Sequence, residues 1–524
     1  MPPADTTSST TETLAGFVER HAQQRPEGIA IRYGDRQWSW AQWASRIRRT
    51  AGALQAAGVR RGQCVAFLDK NHPACLEILF AAASIGAVTT VVNWRLVGDE
   101  LAHVLDDSRP RLLFVGAELR PAAEAAAARV PGLERIVVVG DTPDGEDEYE
   151  SLLAAASPVQ TAEVDEGETA LVIYSSGTTG RPKGVLLSQR ALANHAANLA
   201  PAFPFTDGDA NLVAMPLFHV GGIGYALFGI KAGVPTIMTR EPDAAALIEA
   251  VRAGATHAFF VPPVITRLLD AGETASAPIA GLRYIVYGAA PMPLPLLHRA
   301  LETWPETNFV QVYGQTELCG AVTALSDADH RDPDRPDLQL SAGKAVLGTE
   351  IRVVDPETGD QLPIGDPGEI WVRSNQNMTG YLNRPEATDE TITADDWVRT
   401  GDVGRLDTDD YIYIEDRLKD MIITGGENVY GPEVESVLIE HPAIADAAII
   451  GVPDDYWGES VKAIVVATTE VDPGDIIEFC RRHLAGYKCP RTVDFVPSLP
   501  RNPSGKILKT ALREPYWQNR ARNV

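Results

Sequence analysis

The sequence predicts an α/β protein: a large N-terminal domain of parallel-rich sheets flanked by helices, a β-rich subdomain, and a small α+β C-terminal domain. Three observations carry this. Short apolar runs alternate with alanine-rich helical stretches from Cys64 to Val139. Later apolar runs end in glycine, as strands do when they deliver a ligand loop. From about Ala342 the texture changes to short strands and turns. At 524 residues the chain exceeds one compact core, and 45% hydrophobic with 22% charged residues is ordinary for a globular protein.

Residues 1–12 are rich in Ser and Thr and read as a disordered N-terminus. Ser39 with Gln42 is a capping-box pattern. Trp40, Trp43, Ala44, Ile47, Ala51 and Leu54 follow at helical spacing, and Gly58 stops the helix. Cys64-Val65-Ala66-Phe67-Leu68, an alanine-rich helix through Ala83 and Val88-Thr89-Thr90-Val91-Val92 make a βαβ unit. Arg111-Leu112-Leu113-Phe114-Val115, another alanine-rich helix and Ile136-Val137-Val138-Val139 repeat the scheme, which argues for a parallel sheet. Leu171-Val172-Ile173-Tyr174, Phe259-Phe260-Val261, Tyr284-Ile285-Val286-Tyr287 and Phe309-Val310-Gln311-Val312-Tyr313 are further strands. Ligands of open α/β sheets sit beyond the carboxyl ends of strands. The loops 175–184, 288–291 and 314–317 are therefore the candidate ligand loops. The β-rich subdomain covers about 342–417, and the main boundary near Arg417–Lys419 divides a domain 13–417 from a domain 418–524.

The formal net charge of −25 argues against nucleic-acid binding and means that a polyanionic ligand needs a local basic site. Residues 481–524 hold ten Lys and Arg against two acids, Asp494 and Glu514. That excess reads equally as a solvated tail or an anion-docking face. Five scattered cysteines form no metal or redox spacing and read as reduced thiols of a cytoplasmic protein. The N-terminus lacks the regions of a signal peptide, and the longest apolar stretch, Ile78 to Val92, is too short for a transmembrane segment. Peripheral membrane contact and a homodimer both stay open.

The densest chemistry follows the strand 171–174. Ser175, Ser176, Gly177, Thr178, Thr179, Gly180 and Lys183 combine close-approach glycines, hydroxyl donors and a cation, which suits a polyphosphate. It is not a Walker loop, because that spacing needs glycine where Pro182 stands. Glu317 beside a strand end is a candidate Mg²⁺ ligand, Asp402 a candidate for two sugar hydroxyls, and Lys506 a cation on the tight loop Pro503-Ser504-Gly505. Each alone has a bland alternative: an exposed acid, a turn aspartate, a surface lysine.

Their order and spacing change that weighing. Tyr313-Gly314-Gln315-Thr316-Glu317, Thr400-Gly401-Asp402, Asp416-Arg417-Leu418-Lys419-Asp420, Gly425-Gly426-Glu427-Asn428 and Arg501-Asn502-Pro503-Ser504-Gly505-Lys506 resemble, with the glycine loop, the adenylate-forming superfamily. That superfamily comprises acyl-CoA synthetases, adenylation domains and beetle luciferases, and the resemblance spans about residues 13–515. It implies ATP, Mg²⁺ and CoA as ligands of an acid–CoA ligase working in two half-reactions. By resemblance, 175–183 hold the leaving phosphates, and Gly288, Ala289, Ala290 and Tyr313 form the adenine slot. Gly314 and Gln315 adjoin that slot, Thr316 meets the α-phosphate, and Ser175 and Glu317 place the metal. Asp402 and Arg417 hold the ribose, and Lys506 bridges the α-phosphate and the carboxylate. Lys419 becomes the hinge of a mobile C-terminal domain, and Gly425, Gly426 and Glu427 the CoA tunnel.

The same resemblance puts His219, Val220, Gly221, Phe260, Val261 and Val312 around the acyl group, with His219 at the carboxylate end as a catalytic candidate. Amino-acid-activating relatives carry an acid near Phe218-His219-Val220, so an α-amino acid is not expected. A medium- or long-chain or branched fatty acid leads, with Gly221, Gly222 and Gly224 leaving depth or serving packing. An aryl acid, or an acyl-AMP ligase loading a carrier protein, is the alternative.

Overall fold

The structure, a computed structural model, describes residues 13–130, 132–140, 147–175, 182–425, 427–454, 456–501 and 506–518. The expectation for 1–12 and the ligand residues Ser176, Gly177, Thr178, Thr179, Gly180 and Gly426 lie outside these.

Helix Trp40–Ala56 begins at Ser39 with both capping-box bonds formed, so its start is locally encoded. Beyond it, two large sheets share one apolar core. The first runs edge to edge through Lys344–Ala345, Gly320–Leu325, Asn308–Gln315, Tyr284–Gly288, His257–Phe260, Asn211–Val213, Thr236–Met238, Ile29–Tyr33 and Arg36–Ser39. Its centre is parallel and both edges are antiparallel. The second runs through Gly380–Tyr381, Lys183–Ser188, Thr169–Ser175, Val88–Val91, Cys64–Leu68, Leu112–Gly116 and Arg135–Val139. The βαβ strands are parallel as the alternation requires. Thr169–Ser175 and Lys183–Ser188 instead pair antiparallel, with Ser175 opposite Lys183.

Every residue of helix Pro73–Ser84 is buried, which is why it is apolar on all sides. Its single carboxylate, Glu77, is wholly buried and receives Arg46 through Nε at 2.6 Å and Nη2 at 3.0 Å, and the Tyr149 hydroxyl at 2.8 Å. A buried charge persists only with such a full set of partners. The stretch 78–92 is thus a core helix and strand, and among the described residues no helix is long and apolar enough to cross a membrane.

The β-rich region is a four-stranded antiparallel sheet, Thr349–Val354, Gly368–Ser374, Val398–Leu406 and Ile412–Arg417. A separate apolar cluster lies between strands Ile444–Asp454 and Gly458–Ala467 and helices Gly431–Ile439 and Pro473–His483. All of its buried members come from residues after 420.

Candidate active site

Tyr284–Gly288 and Asn308–Gln315 are parallel neighbours, so the loops 288–291 and 314–317 leave adjacent strand ends, and Ser175 at the end of Thr169–Ser175 reaches the second of them. The Ser175 hydroxyl donates to Glu317 Oε1 at 3.1 Å, across 142 positions of sequence. Tyr381 donates to the same oxygen at 3.0 Å, while the Lys183 ammonium lies 4.8 Å from the Tyr381 ring centre. Glu317 is the middle residue of a 3-10 turn, Thr316–Leu318, directly after the strand carrying Tyr313, Gly314 and Gln315.

Asp402 is not a turn residue. It stands in strand Val398–Leu406 directly opposite Arg417. Arg417 Nε donates to its Oδ1 at 2.6 Å and the Tyr313 hydroxyl to its Oδ2 at 2.7 Å, and the residue is only 4% exposed. The Asp402 charge raises the Arg417 pKa above its ordinary value. Burial, then Asp402, pushes the Tyr313 hydroxyl far up, so it remains a donor. Gln315 Nε2 donates to the Thr400 carbonyl at 3.3 Å.

Two glycines here answer to packing. A Cβ on Gly288 would lie 2.2 Å from the Val312 carbonyl oxygen, and one on Gly314 1.9 Å from that of Gly320. Ala289 adopts φ +65°, a left-handed conformation that costs a non-glycine residue free energy and clusters at functional sites. Ala290 follows, partly exposed.

Lys506 reaches this group from the other end of the chain. The residue is solvent-accessible, and the surrounding protein partly desolvates its ammonium. That desolvation, with the neighbouring Arg417 charge next, holds its pKa below the ordinary lysine value, against the pull of Asp402 and Glu317. Burial, then the charges of Arg95 and Lys506, pushes His219 down to about 4, so its imidazole is neutral at pH 7. Its ring lies 4.3 Å from that of Phe218.

Of the residues expected around the acyl group, His219 caps and Val220 and Gly221 open helix Val220–Ala232, and Val261 and Val312 are half-buried. Phe260 is wholly buried; the side chain nearest Gly221 is Phe259, whose ring edge would be 3.1 Å from a Cβ there. Adjacent strand residues face opposite ways, and choosing between 259 and 260 needs the sheet's neighbours. A Cβ on Gly222 would meet the Pro216 carbonyl oxygen at 2.0 Å and one on Gly224 the His195 ring at 3.0 Å. These glycines pack the helix closely, and the expectation that they leave depth for a long chain loses its support.

Not everything expected comes together. No hydrogen bond or ion pair among the described residues joins Gly425 or Glu427 to Glu317, Asp402 or Arg417. Gly425 takes φ +62° and donates its N–H to the Trp457 carbonyl at 2.8 Å. The basic stretch is largely paired: Lys488 with Glu433, Arg501 with Asp446, Lys509 with Glu435 and Arg513 with Asp420. It is an ion-pair scaffold more than a bare anion-docking face. Missed altogether was Tyr381, whose Gly-Tyr context carries no chemical signal 64 positions from Glu317.

The fold, two large sheets on one core followed by a separate smaller unit, is that of an adenylating enzyme. Residues 18–382 match the AMP-binding enzyme family and residues 433–506 the AMP-binding enzyme C-terminal domain. The chain is 37% identical to the fatty acid–acyl-carrier-protein ligase ScoC of Streptomyces coeruleorubidus over 98% of both proteins. It is 38% identical to a feruloyl-CoA synthase of an Amycolatopsis species, over 96% of this chain and 99% of that protein. The crystal structure of ATP-bound MatB from Rhodopseudomonas palustris superposes with a TM-score of 0.88 at 30% identity, covering 96% of this chain and 99% of MatB. The chain belongs to the AMP-binding enzyme family, as an AMP-forming acid–thiol ligase.

Proposed function

We propose that the protein joins a hydrophobic carboxylic acid to CoA in two steps within one cleft. A carboxylate oxygen attacks the α-phosphorus of ATP in line, the bond to the bridging oxygen breaks, and pyrophosphate leaves. The CoA thiolate then attacks the acyl carbon of the acyl-AMP, and AMP leaves with the bonding electrons. The first step brings two anions together, so preorganised positive charge is the main catalytic device. The observation that carries the reading is the pair of hydrogen-bonded clusters, Tyr313 and Arg417 on Asp402 and Ser175 on Glu317, whose carboxylates also act on the Lys506 ammonium.

In this reading the Lys506 ammonium sits between carboxylate and α-phosphate, while Thr316 meets that phosphate. Lys183 and the loop 175–183 hold the departing phosphates. Asp402 accepts the ribose hydroxyls with lone pairs that Arg417 and Tyr313 leave over, and the Tyr313 ring backs adenine with Gly288, Ala289 and Ala290. Neutral His219 offers one N–H to the carboxylate without adding charge. Glu317 and Ser175 present oxygen donors, the set Mg²⁺ takes along with phosphate oxygens and water. Oε2 of Glu317 accepts no hydrogen bond among the described residues, which fits that use. Such a cation, when bound, supplies charge neutralisation on the phosphates.

Support for a hinge at Lys419 comes from its neighbours. Leu418 N donates to the Gly401 carbonyl at 2.8 Å on one side, and Asp420 pairs with Arg513 at 2.8 Å on the other. The units 13–417 and 418–524 then move as bodies, and rotation exchanges Lys506 for Gly425, Gly426 and Glu427. The cytoplasm, where free cysteines persist, is the compartment that suits them. Similarity to ScoC supports a carrier-protein thiol as the second reading of the acceptor. Pyrophosphate release across a panel of fatty and aryl acids, with CoA or a phosphopantetheinylated carrier protein, tests both. Release with acids but no thioester on either acceptor refutes the second step.

A further inference from the structure

Residues 376–381 bridge the two parts of the phosphate site. Gln376, wholly buried, donates to the Leu318 and Ala321 carbonyls, both at 2.9 Å. Met378 N donates to the Glu317 carbonyl at 2.9 Å, and Thr379 N to the Leu186 carbonyl at 3.0 Å. Tyr381 then pairs with Val185 at the edge of the second sheet. The segment thus ties the Glu317 turn of one sheet to the phosphate-loop hairpin of the other, and Tyr381 ends between them.

We propose that Tyr381 is a positioning residue that keeps Glu317 free for a divalent cation and apart from Lys183. The inference rests on the assignment of Glu317 to the metal. Two hydroxyls, from Ser175 and Tyr381, converge on Oε1 and fix the carboxylate, leaving Oε2 as the open acceptor. Tyr381 is buried, 8% exposed, and the Lys183 ammonium lies 4.8 Å from its ring centre, where the π face holds the cation. Lys183 and Glu317 form no ion pair. Without the ring the flexible lysine collapses onto the carboxylate, and the pair competes with Mg²⁺ for Glu317 and with phosphate for Lys183.

The test is ATP binding by calorimetry to the full-length protein without acid, so that nothing turns over, across a free-Mg²⁺ series starting in EDTA. Tyr381→Phe keeps the ring and removes the hydroxyl. Outer-shell partners of metal ligands are worth about 10- to 100-fold, and the Mg²⁺ midpoint should rise about 10-fold with ATP affinity in EDTA unchanged. Tyr381→Ala should raise the midpoint further and also weaken ATP binding in EDTA, and adding Lys183→Met should restore part of the midpoint. An unchanged midpoint in Tyr381→Phe, or equal loss with and without Mg²⁺, overturns the inference. Glu317→Ala separates the two levels. If it abolishes the Mg²⁺ dependence while Tyr381→Phe leaves it intact, only the role of Tyr381 falls; if Glu317→Ala keeps the dependence, the metal assignment falls.

Discussion

Asp402→Asn is the sharpest probe of the nucleotide site, because its two oxygens do different things. Oδ1 takes Arg417 Nε at 2.6 Å and Oδ2 the Tyr313 hydroxyl at 2.7 Å, in a residue 4% exposed. The amide keeps one acceptor and turns the other oxygen into a donor that faces a donor. One charge-assisted hydrogen bond is lost, worth about 1.5–3 kcal/mol, and ribose hydroxyls meet a weaker acceptor. Together these come to about 2–4 kcal/mol, or about 30- to 900-fold in kcat/KM for ATP. The loss should be shared by both half-reactions, since ATP and acyl-AMP carry the same ribose. The assay is pyrophosphate release for the first half and thioester formation from supplied acyl-AMP for the second, with a thermal melt to show that the variant folds. A change below about 3-fold in a folded variant, or a loss confined to one half-reaction, refutes the ribose assignment.

Lys506→Ala should lower pyrophosphate release by about 100- to 1000-fold, the scale of one charge-stabilising donor, and spare thioester formation from supplied acyl-AMP; equal losses reject its assignment. The lowered Lys506 pKa gives a pH signature. The cation is present below that pKa and lost as pH rises through it, so kcat/KM for ATP should fall on the basic side before an ordinary lysine would titrate. Lys506→Arg should move that limb upward, and a wild-type limb at the ordinary lysine value counts against the desolvated site. The hinge is best tested at Asp416, whose Oδ2 accepts Gly431 N at 2.8 Å across the Lys419 turn. Asp416→Ala removes a bond worth about 0.5–1.5 kcal/mol, which should slow adenylation about 2- to 10-fold and leave thiolation equal or faster. Parallel slowing of both would show that the contact does not distinguish the orientations.

Local rules carried much of the fold. The capping box at Ser39 and Gln42, the βαβ alternation from Cys64 and the turn-rich texture after Ala342 all state their structure within a few residues. The strands flanking the glycine loop gave no sign of pairing antiparallel, because apolar runs say nothing of direction. The contact of Phe259 with Gly221 was hidden for a related reason: in a two-faced strand of the core, Phe259 and Phe260 are both apolar.

By itself the sequence determined the family and singled out the candidate groups, because charge, hydroxyl and glycine content in order along the chain carry the resemblance. Tertiary structure alone decided which of them share a carboxylate. Ser175, Glu317 and Tyr381 meet at one oxygen, and Tyr313, Asp402 and Arg417 at one carboxylate, from five different strands and a turn. It also decided that Gly222 and Gly224 are filled by a carbonyl and a histidine. Such facts depend on sheet order and helix packing, which join residues far apart in sequence, and no local pattern encodes those distances.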